Sequence, residues 1–230
     1  MVFIDRLAIN RLIWLGTLSF LAVVLSSCGS VVDKSSSDTS TEEVAEGAEE
    51  IRRVASPNPY LASAPRVSQQ AINRFNSGIS AMESGNWSEA ELIFQELTVT
   101  EPGLSGPWVN LGTIYYQAED FDKAESAWNQ AIEINSLNFD AYNQLAILKR
   151  EQGEFDEAEA IYLNSLAKWP DNAEAHRNLG ILYDLYMGQW VEALNEYQEC
   201  ADLSEEPSRQ LRGWIVDMER RIQALANDQR

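Results

Sequence analysis

From Ala71 to Pro207 the apolar and small positions fall on a fixed grid with a period of 34 residues, repeated four times. A small residue stands at Gly78, Gly112, Ala146 and Gly180, and a second one at Ala90, Ala124, Ala158 and Ala193. An aromatic precedes the second series at Trp87, Phe121, Phe155 and Trp190, and another follows seven residues on at Phe94, Trp128, Tyr162 and Tyr197. Segments this long with such spacing predict a pair of packed helices in each copy and no sheet. One interval is a residue longer than the others, because Met187 and Gly188 occupy a turn made by Gly85, Glu119 or Gly153 alone elsewhere. An extra residue at the end of the fourth first helix accounts for it.

Packing explains the grid. Gly or Ala lets paired helices approach closely while the aromatics fill the wedge between neighbouring pairs, so a larger side chain would overpack by about 1–3 kcal/mol. Helix starts are expected at the capping boxes Ser88 with Glu91, Asp122 with Glu125, Asp156 with Glu159, and Asp171 with Glu174. Pro102, Pro170 and Pro207 fall just past expected helix ends.

The copy with Trp108, Leu111, Gly112, Tyr115, Ala124, Trp128 and Ala131 resembles the tetratricopeptide repeat signature W-x2-L-G-x2-Y followed by Ala, an aromatic and Ala. The resemblance implies an all-α solenoid of four helix-turn-helix repeats (71–104, 105–138, 139–172 and 173–207) within a repeat region 68–207. Arg74 and His176 stand where the signature has Trp, and Ser136 replaces the closing Pro. A terminal helix, 208–226, is expected to shield the last repeat, with Leu211, Trp214, Ile215, Met218, Ile222 and Leu225 on its apolar face and Arg209, Arg212 and Arg220 opposite.

The amino end carries a different signal. Arg6 and Arg11 precede an apolar run, Leu12 to Leu25, that is shorter than the ~17–20 residues needed to span a bilayer. Leu25-Ser26-Ser27-Cys28 resembles the bacterial lipobox, which implies cleavage of residues 1–27 and diacylglyceryl attachment at Cys28. A plain cleaved signal or an uncleaved anchor is the alternative. Gly29 in second place implies the outer membrane, periplasmic side, under the enterobacterial sorting rule; that rule varies among bacteria, which leaves the inner membrane as the other address. Each buried methylene contributes about 0.8 kcal/mol, so two or three acyl chains give a stable anchor. Cys200 falls on a small buried position and is expected to be an inert core thiol.

Residues 28–67 read as a lipidated cysteine and an acidic, disordered linker. Ser35 to Ser40 and Glu42, Glu43, Glu46, Glu49 and Glu50 leave too little apolar surface to fold, and Ser56-Pro57-Asn58-Pro59 is expected to be stiff and extended. The chain holds 17 Lys and Arg against 36 Asp and Glu, a net charge of −19. Such a surface disfavours nucleic acid and anionic headgroups as partners and favours a basic or neutral protein segment.

Implied by the repeat resemblance, the first helices line the inner curve. Asn76, Asn110, Gln144 and Asn178 recur there at spacing 34, and a column of amides could clasp the main chain of an extended peptide. Neighbouring inner-face candidates are Phe75, Ile79, Met82, Val109, Thr113, Tyr116, Ile147, Arg150, Arg177 and Ile181. The basic clamp with which some such repeats seize an acidic tail is missing, since Phe75, Ile79, Asp140 and Gln144 occupy its positions.

Chemistry finds little to build on. The single histidine, His176, sits at a core aromatic position, and the sequence holds no metal-spaced Cys/His cluster, phosphate loop or nucleophile elbow. The expectation is a non-enzymatic scaffold without cofactor, metal or small-molecule substrate, held to the membrane by lipid. Its partner would be a protein or extended peptide segment, in assembly of an envelope machine such as a pilus or secretin; the alternative is an adaptor for peptidoglycan hydrolases or proteases.

Overall fold

The computed structural model describes residues 54–63 and 65–228. Helix α1 spans Pro59–Ser63, and four helix pairs follow: α2 (Gln69–Glu83) with α3 (Trp87–Thr100), α4 (Gly106–Gln117) with α5 (Phe121–Ile134), α6 (Phe139–Gln152) with α7 (Phe155–Lys168), and α8 (Ala173–Leu182) with α9 (Trp190–Asp202). Helix α10, Arg209–Asp228, closes the array on α9. Among the described residues there is no strand, and no helix is long and apolar enough to cross a membrane. These residues fall within one compact unit. The signal segment, Cys28 and the acidic stretch lie outside the described residues.

Packing within each pair follows the 34-residue grid. Ala90, Ala124, Ala158 and Ala193 are fully buried, as are the aromatics Phe94, Trp128, Tyr162 and Tyr197. A Cβ on Gly78 would lie 2.7 Å from the Phe94 ring and one on Gly180 2.6 Å from that of Tyr197, so these helices touch through glycine. The first helices also pack on one another, α4 on α6 and α6 on α8, which puts them on the shorter radius of the stack.

The turn inside each pair needs one left-handed residue, found at Gly85, Glu119, Gly153 and Gly188 with φ between 60 and 83°. The fourth turn absorbs its extra residue as a π-helical turn, Tyr183–Met187, where a wider backbone loop accommodates the insertion.

Helix starts differ from expectation. Each second helix begins at its aromatic, so Ser88, Asp122 and Asp156 lie in the first turn rather than at the cap. Asp120 is the capping residue of α5, its carboxylate accepting from the Lys123 amide. At α8 the cap is Asn172, accepting from the Ala175 amide, and not Asp171. Asn138 does the same for α6 and Ser68 for α2. The short side chain adjacent to the first helical residue reaches the unpaired amides best.

The end of the linker is structured. Asn58 accepts from the Tyr60 amide at 2.9 Å and Pro59 starts α1, where its missing N–H costs nothing. Ser56, 113 positions before Trp169, receives that residue's indole N–H on its carbonyl.

The terminal helix buries Leu211 and Met218, and Trp214 stacks on Tyr197 with ring centroids 5.2 Å apart. Arg209, Arg212 and Arg220 face solvent, and the last turn overhangs, leaving Leu225 exposed.

Candidate functional site

The inner-face candidates divide into core and surface. Ile79, Met82 and Val109 are buried, Val109 within a cluster containing Trp128, Leu145 and Leu148, so the apolar positions of the first two repeats hold the array together. Phe75 is half-buried, its ring edge-on to Phe94 at 5.4 Å. Thr113 donates its hydroxyl back to the Val109 carbonyl at 3.1 Å. Ile147 and Ile181 are half-buried.

At the carboxyl ends of the first helices the repeats are cross-tied. The Tyr116 hydroxyl donates to the Glu151 carboxylate, and that bond, with burial, pushes Tyr116 up to about 12. The Arg150 guanidinium lies over the Tyr186 ring, 5.4 Å from its centroid. Arg177 is exposed and reaches Glu174 at 3.6 Å.

The amide column is not a free ladder. Asn110, 5% exposed, donates to the Gly106 carbonyl of its own helix at 2.9 Å. Asn178, 6% exposed, donates to Asn143 at 2.5 Å, and Asn143 donates to Glu174 at 3.3 Å. Asn76 and Gln144 are half-buried. Two of the four amides therefore turn into the interior, where a buried polar group must find a partner within the protein: Asn178 finds it on the adjacent first helix and Asn110 on its own.

Asn143 is absent from the candidates that sequence patterning singles out, yet it completes the series Phe75, Val109 and Arg177 at spacing 34 and was legible on that ground. It lines a cavity of about 380 Å³ at the edge where α6 and α8 begin and α7 ends. Phe139 and Trp169, with centroids 5.2 Å apart, form part of its wall. Tyr162 and Ser165 also line it; both are buried, and neither hydroxyl has a hydrogen-bond partner. An unmet buried hydroxyl costs about 1–3 kcal/mol. Glu174 at the rim is raised above the usual carboxylate range by burial, against the pull of Arg177.

His176 is 8% exposed and serves packing. Its Nδ1 is 2.6 Å from the Glu196 carboxylate and its Nε2 is 2.8 Å from the Pro170 carbonyl. Burial opposes its charge, but these two acceptors and the nearby Glu199 outweigh burial and hold it above its ordinary value. Cys200 is a buried free thiol, raised by burial. Among the described residues no His, Cys, Asp and Glu cluster has metal-holding geometry.

Family models described as tetratricopeptide repeat match residues 107–136 and 137–206. The Photosystem I assembly protein Ycf3 of Rippkaea orientalis is 27% identical over 116 residues, 46% of this chain and 67% of that protein. The peroxisomal targeting signal receptor of Kluyveromyces lactis is 23% identical over 73% of this chain, which spans only 28% of the receptor. The solved structure of Pseudomonas aeruginosa pilF shares the fold, with a TM-score of 0.59 at 16% identity, over 67% of this chain and 69% of that one.

Proposed function

We propose that this tetratricopeptide-repeat chain is a lipid-anchored scaffold on the periplasmic side of a bacterial outer membrane, where it holds a protein segment during assembly of an envelope machine such as a pilus or secretin. The repeat array carries the interaction half of the reading: four stacked helix pairs present first-helix residues and an edge cavity, with no metal-holding cluster among the described residues. The names of two relatives, an assembly protein and a targeting signal receptor, agree with a binding role. The lipobox-like Leu25 to Cys28 supports the anchor, and the net charge of −19 supports a basic or neutral protein partner.

Two measurements test the halves separately. Labelled palmitate should enter the wild-type chain and not Cys28→Ala, which should leave the membrane fraction; equal labelling of both removes the anchor. A photo-crosslinker at exposed Arg177 should capture a pilus or secretin subunit in cells. Capture of peptidoglycan hydrolases instead would replace the assembly role with the adaptor role.

A further inference from the structure

Ser56 is held through its main chain at both ends. Its amide donates to Asp171 Oδ2 at 2.7 Å, and its carbonyl accepts from Trp169 Nε1 at 3.2 Å. Its own side chain takes no part in either bond. Asn172, not Asp171, caps α8. Pro57 follows, which biases Ser56 to an extended backbone and removes the next amide from competition. Ala55 and Asn58 both line the cavity that contains Asn143, Tyr162 and Ser165. Yet Ala55, Ser56 and Pro57 remain solvent-exposed, and the hydroxyls of Tyr162 and Ser165 remain unpartnered. The segment sits at the mouth and leaves the interior unfilled.

We propose that this edge cavity is a binding site for an extended main-chain segment with a small residue before proline, and that Ala55–Asn58 is its occupant in the free chain. Recognition comes from a donor and an acceptor, Trp169 and Asp171, that bracket one residue's backbone, as an edge strand would. Tethering gives the internal segment a high effective concentration, so a shallow contact suffices to hold it. An incoming segment gains the site by displacing it. The site is independent of which envelope partner the scaffold serves, because its first ligand is this chain itself.

The test uses the full-length chain in detergent and a fluorescent synthetic peptide of residues 54–63, followed by anisotropy. Ser56→Pro deletes the amide donor and should free the site, so that variant binds the peptide at least about tenfold more tightly than wild type, the worth of one charge-assisted hydrogen bond. Ser56→Ala keeps the amide and should match wild type. Adding Trp169→Phe to Ser56→Pro retains a ring beside Phe139 but removes the indole donor, and should abolish the gain. Helical circular dichroism checks that all four chains are folded. No gain in Ser56→Pro overturns the internal occupancy. An equal gain in Ser56→Ala overturns main-chain recognition, and a gain that survives Trp169→Phe overturns the site.

Discussion

Gly112 and Trp128 fit each other without room for a methyl group: a Cβ on Gly112 would collide with the indole, whose Nε1–H donates to the Val109 carbonyl at 3.2 Å. Gly112→Ala therefore forces the ring away and strains that bond. The expected loss is about 1–3 kcal/mol in urea unfolding. A Cβ on Gly213 in α10 would meet nothing within 4 Å, so Gly213→Ala should instead stabilise by about 0.5–1 kcal/mol. Equal effects at the two sites would refute the close-packing account.

The four left-handed turn positions differ in chemistry. Glu119 has φ 60° where the other three are glycine. Glu119→Gly relieves backbone strain but loosens the unfolded chain, a net gain of at most about 1 kcal/mol. Gly153→Ala, with φ 83° and open space around it, should lose about 1 kcal/mol from conformation alone. Thermal unfolding of the two variants should shift in opposite directions.

The burial of Asn110 and Asn178 makes them stability residues. Asn178→Ala leaves Asn143 short of a donor and should cost about 1–3 kcal/mol, and Asn110→Ala should cost less because its bond is local. Denaturant midpoints measure this. Variants of unchanged stability with weakened partner binding would restore the amide ladder as a ligand contact.

His176 makes stability depend on pH. Its folded value is raised above its ordinary one by Glu196 and Pro170 despite burial, so protonation favours the fold. That contribution is complete below the ordinary histidine value of about 6.5 and is lost as pH rises through the raised folded value. His176→Phe should flatten this part of the stability profile between mildly acidic and alkaline pH. A wild-type profile equally flat there would contradict the ion pair.

Lys149 gathers three carboxylates, Glu154 at 2.8 Å, Glu125 at 3.0 Å and Glu157 at 3.3 Å, with its side chain 12% exposed. Hydrogen bonding to Glu154 leads the causes that raise it, against burial. Lys149→Gln leaves those acids repelling one another and should cost about 1–3 kcal/mol, between exposed and buried pairs. Added salt should narrow the gap between the variant and wild type in chemical denaturation.

The repeat grid was legible because periodic packing writes itself into a single chain: Gly78, Ala90 and Phe94 must recur wherever two helices meet at the same distance. The extra residue at Met187 and Gly188 was legible for the same reason, as a break in period. Cap positions fall one or two residues away from where the capping-box pattern puts them, since Asn172 and Asp171 are equally good capping side chains and only the path of the backbone chooses between them.

Sequence by itself determined the all-helical architecture, the four helix pairs and the core aromatics, which depend on contacts repeated at one fixed separation along the chain, and the closing helix, whose apolar residues recur at helical spacing. Tertiary structure alone decided that Asn110 and Asn178 turn inward, that Asp171 and Trp169 meet the backbone of Ser56, and that Tyr162 and Ser165 line a cavity. The contacts that tie Asn178 to Asn143 and Ser56 to Asp171 join residues 35 and 115 positions apart, outside any local rule, and arise only when neighbouring repeats fix which side of a helix is covered.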